Sequence, residues 1–127
     1  MKEVMDSYAF VHSNDYEKIE RSLELTNEAL RLDDQNLAAL HHKIRLLFIK
    51  RDMNGLLETT EKLIELTEGK TYYLGQKALF LDLKGEKEEA TSYYKQALRK
   101  YENYLMLDST DFDLSVEYVG LLQTFGD

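Results

Sequence analysis

The stretch from Thr71 to Tyr101 most constrains the fold of this chain, because its apolar residues recur at the spacing of a helix face. Lys84-Gly85 interrupts the pattern, and a glycine readily adopts the left-handed conformation that ends a helix. The stretch therefore predicts two amphipathic helices joined by a tight turn, with alanines that let the backbones approach closely. The apolar positions are Leu74, Ala78 and Leu81 in the first helix, and Ala90, Tyr94, Ala97, Leu98 and Tyr101 in the second.

The same pattern recurs when the chain is compared with itself at an offset of 34 residues. This self-similarity indicates an earlier hairpin over residues 35–68, and a second offset indicates another upstream. Matching apolar or basic character matters more here than identity. The aligned pairs include the identities Leu40 with Leu74, Lys43 with Lys77, Leu47 with Leu81 and Lys50 with Lys84, and the similar pairs Leu63 with Ala97 and Ile64 with Leu98.

This arrangement resembles the tetratricopeptide repeat family, whose helix pairs recur with this period, and the match is best over residues 69–102. Leu40 and Leu74 stand where the family favours Trp, so the resemblance is to a divergent form. The resemblance implies an all-α, right-handed solenoid of helical hairpins forming one domain over residues 1–127. Its repeats would span residues 1–34, 35–68 and 69–107, and a terminal helix at 111–125 would cap the stack.

Composition supports helices and argues against several partners. The chain has no Pro and six Gly, which leaves little material for β-turns, and its 43% hydrophobic content can fill a core. Sixteen basic against 24 acidic residues, interspersed, give a net charge of −8 that disfavours nucleic acid and anionic lipid. With no Cys, redox usage does not indicate a compartment. We expect a soluble protein without a membrane span, cytoplasmic by default, although an exported form with a trimmed signal stays open.

Caps and breaks predict the remaining elements. A short helix is expected at residues 3–12, followed by helices at 15–32, 37–50 and about 55–67, with a turn at 51–54. Gly69 is expected to end the helix at about 55–67 in the left-handed conformation. The second helix of the third hairpin extends to about Leu107, and Thr110 with Asp113 can cap the last helix. The residues expected to face inward are Ile19, Leu23, Thr26, Leu30, Leu40, Ile44, Leu47, Phe48, Leu56, Leu57, Thr60, Leu63 and Ile64.

The resemblance implies a binding groove, because the first helix of each pair lines the concave side of such a stack. A peptide or protein segment would bind there, which makes the chain a non-catalytic interaction scaffold. The alternative for Phe48, Leu79 and Leu83 is that they belong to the core. The expected groove residues are His41, His42, Arg45 and Phe48 in the second repeat, and Tyr72, Gln76, Leu79 and Asp82 in the third.

Chemistry that needs a metal or a nucleophile is not expected. His41 and His42 are adjacent in a helix and point about 100° apart, so they cannot both face one ion from the same surface. No phosphate loop, nucleophile elbow or metal motif is present in the sequence. We therefore predict no enzyme activity, no metal and no cofactor. The competing hypothesis of a metal protein would use His41, His42 and Asp82.

A second function hypothesis is structural. Tyr93, Tyr104, Phe112 and Phe125 would form an apolar patch suited to a subunit interface if they were exposed together. The chain would then be an assembly subunit that forms homodimers through its terminal helix. The competing interpretation is that these rings are half-buried and cap the stack.

Overall fold

The computed structural model describes residues 13–125, and all regular secondary structure in this range is α-helical, which confirms the all-α prediction. The short helix predicted at residues 3–12 lies outside the described residues. The chain divides into two compact units, residues 1–51 and 52–127. The first holds α1 (Ser13–Leu32) and α2 (Leu37–Lys50), and the second holds α3 (Met53–Leu66), α4 (Thr71–Lys84), α5 (Lys87–Leu107) and α6 (Phe112–Phe125).

In the first unit, α1 packs against α2. Leu23 and Thr26 of α1 and Leu40 and Leu47 of α2 are buried as predicted. α2 begins at Leu37 because the Asn36 side chain accepts a hydrogen bond from the backbone N–H of Ala39 at 3.0 Å, satisfying a donor that would otherwise lack a helical partner.

The end of α2 corrects one predicted core residue. Phe48 is 38% exposed and does not face inward, while Leu46, which was not predicted to be core, is buried. Arg51 follows the helix in the left-handed conformation with φ of 62°, and its guanidinium lies over the Phe48 ring at 5.4 Å from the centroid. The cation therefore lies against the face of an exposed ring at the end of α2.

The turns of the second unit are set by one acidic cap and two glycines. The predicted turn at residues 51–54 is too long, because the Asp52 carboxylate accepts from the Gly55 N–H at 2.9 Å and α3 already begins at Met53. Gly69 and Gly85 have φ of 82° and 99°, which confirms the left-handed turns expected after α3 and α4.

The core of the second unit is built on the α4–α5 hairpin, with α3 packed against α4. Lys77 ties these three helices together: its Nζ donates to the Glu61 carboxylate on α3 at 2.5 Å and to the Tyr93 hydroxyl on α5 at 3.0 Å. Burial alone would lower the pKa of Lys77, but these hydrogen bonds outweigh burial and raise it. The buried residues that were predicted are Leu56, Thr60, Leu63, Leu74, Ala78, Leu81, Ala90, Ala97 and Tyr101.

α6 packs on α5 and α4 and extends this core. Its N-terminal cap differs from the prediction. The Asp111 carboxylate accepts from the Leu114 N–H at 3.0 Å, whereas the Thr110 hydroxyl donates to Asp108 at 2.6 Å and stays within the connector. The cluster that α6 joins contains Leu74, Ala97, Tyr101 and Leu121, with Leu114, Tyr118 and Phe125 packed against it.

Candidate functional site

A cleft lies between α4 and α6 in the second unit. It encloses about 330 Å³. One wall is the exposed flank of α4, the other wall is a flank of α6, and Tyr101 of α5 contributes to the base. The lining residues are Tyr72, Gly75, Gln76, Leu79, Tyr101, Val116, Glu117, Gly120, Leu121, Thr124 and Phe125.

A close helix contact sets one edge of the cleft. A Cβ added at Gly75 would lie 3.3 Å from Leu121 Cδ1, so α4 and α6 meet at a position where a glycine leaves room for a leucine. At Gly120 an added Cβ would meet no atom within 4 Å. The two helices therefore touch where Gly75 meets Leu121, whereas Gly120 borders open space in the cleft.

Two tyrosine–glutamate hydrogen bonds fix α6 on α5. The Tyr101 hydroxyl donates to Glu117 Oε1 at 2.9 Å, and the Tyr118 hydroxyl donates to Glu102 Oε2 at 3.1 Å. Each bond joins a residue of one helix to its counterpart on the other, as expected for antiparallel neighbours. The Tyr101 and Tyr118 rings also pack edge to face, with centroids 6.3 Å apart.

The environment of Tyr101 favours its neutral form. The residue is 2% exposed, and this burial, followed by the hydrogen bond to the Glu117 carboxylate, raises the pKa of its hydroxyl far above the usual value. The Tyr101 hydroxyl is therefore protonated at neutral pH and holds the Glu117 carboxylate in place as a hydrogen-bond donor. This carboxylate lines the cleft and gives it negative charge.

The remaining walls are suited to an apolar ligand. Tyr72 is 38% exposed, Val116 is 53% exposed, and Leu79 of α4 is half-buried in the cleft lining. Gln76 supplies an amide that can donate to or accept from a backbone. An apolar surface with a few convergent polar groups is typical of peptide and small-ligand sites.

The structure brings together three of the predicted groove residues, Tyr72, Gln76 and Leu79. Asp82, the fourth on α4, is not among the lining residues and accepts from Lys87 Nζ at 2.8 Å. Leu83 is 51% exposed, so the alternative that it belongs to the core is wrong.

The other four predicted groove residues lie on α2 in the first unit. His42 and Arg45 are exposed and His41 is half-buried. His42 also lines a shallow hollow of about 390 Å³ between α1 and α2, together with Thr26 and Ala39. That α2 and α4 share one groove stays a prediction.

The predicted interface residues divide into two pairs. Tyr104 and Phe112 are 45% and 76% exposed. Tyr93 is half-buried and accepts from Lys77, and Phe125 is half-buried against Tyr94 with ring centroids 5.0 Å apart. The structure therefore gives two of the four rings partners inside the chain.

Sequence reasoning missed the whole α6 wall of the cleft. The signal was the distribution of apolar residues over more than one flank of the last helix, but this pattern alone does not show which flank packs inward. The missed residues are Val116, Glu117, Gly120, Leu121 and Thr124.

Within residues 13–125, no helix is both long and apolar enough to cross a bilayer. In the same range, no three His, Asp or Glu side chains are grouped so that they could hold a metal ion. No family model, curated protein or solved structure matches the chain.

Proposed function

We propose that this chain is a non-catalytic protein-interaction module that binds a peptide or protein segment in the α4–α6 cleft. The observation that carries the proposal is the cleft of about 330 Å³, whose exposed walls combine Tyr72 and Val116 with the polar Gln76 and Glu117. Exposed aromatic and aliphatic side chains beside a concave surface provide the apolar area that peptide recognition uses.

The proposal also draws on the predicted helical-repeat architecture, in which the first helix of each hairpin lines the binding surface. α4 is the first helix of the best-matching hairpin, and three of its predicted groove residues line the cleft. A tyrosine such as Tyr72 supplies a large contact area at a low cost in side-chain entropy, which suits it to anchor a ligand.

The test is to select peptides from a displayed random library on the purified chain and to measure their affinity for cleft-filling variants. Gly120→Leu places a branched side chain in the open end of the cleft, where an added Cβ meets no atom within 4 Å. We expect selected peptides to bind this variant at least about tenfold more weakly, as for loss of one well-packed apolar contact.

Gly120→Ala is the matched control, because both changes remove a helix-interior glycine and both should raise helix stability by up to about 1 kcal/mol. The alanine adds a single methyl group and should change affinity by less than about threefold. Tyr72→Ala should also weaken binding with little change in melting temperature. Equal binding of the selected peptides by wild type and Gly120→Leu would contradict the proposal.

A further inference from the structure

α6 is apolar on two opposite sides. Its inward side packs on the core through Leu114, Tyr118 and Leu121. Its outward side presents a second row, the α6 stripe, formed by Phe112, Val116 and Val119, which are 76%, 53% and 48% exposed.

The α6 stripe has the geometry of a helix-packing surface. Its members are four and three residues apart, so they form a single ridge along α6. Val116 belongs to both the stripe and the cleft, which makes the two a continuous apolar surface. Ridges of this kind pack into the grooves of another helix.

The charged side chains of α6 and of the chain just before it have one sign. Residues 101–125 contain five acidic side chains and no Lys or Arg. Residues 52–127 contain eight basic and fifteen acidic residues, whereas residues 1–51 contain eight basic and nine acidic residues. Asp113 and Glu117 are one helical turn apart on the flank of α6 that borders the cleft, so the negative charge lies beside the apolar surface.

From this combination we infer that the ligand of the cleft is an amphipathic helix with Lys or Arg residues flanking its apolar face. The inference rests on the proposed function and names the chemistry of its partner. The apolar face of such a helix would cover the α6 stripe and enter the cleft, and its cations would lie near Asp113 and Glu117.

The charges disfavour a second copy as the occupant. Two copies that docked through the same face would set Asp113 and Glu117 against like charges, and residues 101–125 supply no cation to neutralise them. An anionic lipid surface would be repelled for the same reason.

The test uses three synthetic peptides of about 18 residues with one apolar pattern, Leu at helical spacing, and with Lys, Gln or Glu at every polar position. Each is labelled and titrated with the full chain by fluorescence anisotropy. We expect the Lys peptide to bind at least about tenfold more tightly than the Gln peptide, and the Glu peptide to bind most weakly. The preference of the Lys peptide should shrink as salt is added.

Two charge variants show whether the attraction is local. Asp113→Asn with Glu117→Gln should reduce the preference for the Lys peptide over the Gln peptide about fivefold. The control is Glu88→Gln with Glu89→Gln, which changes the net charge by the same amount at the opposite end of α5. It should change the affinity for the Lys peptide by less than about twofold. A glutamine at position 117 can still accept from Tyr101, so α6 stays in place.

Each contrary outcome overturns a distinct statement. If the Lys and Gln peptides bind equally and Gly120→Leu blocks both, the inferred partner charge is wrong and the cleft proposal stands. If Gly120→Leu blocks neither peptide, or if no designed peptide binds, the inferred helical partner is wrong, and the library-selected peptides decide the cleft proposal separately. A dimer seen by light scattering, and lost in Val119→Ser, would overturn the inference in favour of a second copy.

Discussion

Replacing Tyr101 with Phe should make the chain less stable at neutral pH but more resistant to alkali. The Tyr101 ring is almost fully buried and its hydroxyl donates to Glu117 at 2.9 Å. A hydrogen bond to a charged group contributes about 1.5–3 kcal/mol, and the half-buried Glu117 can recover water when the bond is lost. We therefore expect the variant to lose about 1.5 kcal/mol at pH 7, at the lower end of that range.

The pH dependence follows from the raised pKa of Tyr101. A tyrosine in the unfolded chain ionises near pH 10, whereas the folded state holds the Tyr101 proton to higher pH. The native state therefore binds this proton more tightly, and the associated stability is complete below about pH 10 and is lost as pH rises further. At pH 11, one pH unit above the pKa of an unfolded tyrosine, this effect lowers the free energy of unfolding of the wild type by about 1.4 kcal/mol relative to pH 7.

The wild type and the Tyr101→Phe variant should therefore reach equal stability near pH 11. The measurement is urea unfolding followed by circular dichroism at pH 7, 9, 10 and 11. Tyr73 and Tyr118, whose pKa values are also raised, are present in both proteins and cancel in the difference. Tyr104→Phe, at a ring that is 45% exposed, is the control and should follow the wild type. A constant difference between wild type and Tyr101→Phe from pH 7 to 11 would refute the reasoning.

Three further substitutions test the core, a turn and the docking of α6. The Thr60 hydroxyl is fully buried and has no hydrogen-bond partner among the described residues, so Thr60→Val should stabilise the chain by about 1 kcal/mol. Thr59→Val is the control and should not stabilise it, because this change removes a hydroxyl that donates to the Gly55 carbonyl. A lower melting temperature for Thr60→Val would count against this account. Arg51→Gly removes left-handed strain but loses the contact with Phe48, so a net gain of about 0.5 kcal/mol is expected in urea unfolding, and a loss would mean that the ring contact dominates. Leu121→Ala should lower the free energy of unfolding by about 2–3 kcal/mol and speed amide hydrogen exchange more in α6 than in α4. Equal acceleration in both helices would show that α6 does not open separately.

Several helix ends were predictable from sequence because they depend on neighbours within a few residues. The bounds of α2 agree with the prediction at both ends, and α5 ends at Leu107 as expected. Gly69 and Gly85 adopt the left-handed turns that glycine allows. The start of α6 was less predictable, because Thr110 and Asp111 are both capping residues and their side-chain conformations decide which one bonds the helix.

The cleft was only half predictable. Three residues of its α4 wall were expected from the resemblance to the repeat family, in which the first helix of a hairpin lines the groove. Its α6 wall does not, since α6 carries apolar residues on both sides and either could have packed inward. Packing on Leu74 and Tyr101 selected the side with Leu121, which left Phe112, Val116 and Val119 exposed.

The sequence by itself determined that this chain is helical, where the turns at Gly69 and Gly85 lie, and that Leu74, Ala78 and Leu81 of α4 are buried, because these depend on local periodicity and on glycine conformation. It did not indicate that Tyr73 and Phe80 of α4 are buried as well. The tertiary structure alone decided which side of α6 covers the hairpin, and hence where the cleft lies and which carboxylate Tyr101 holds. The physical reason is that α6 has two apolar sides, and which of them is buried depends on how well its shape fits the surface of the hairpin. The space that Gly75 leaves for Leu121 is one such fit.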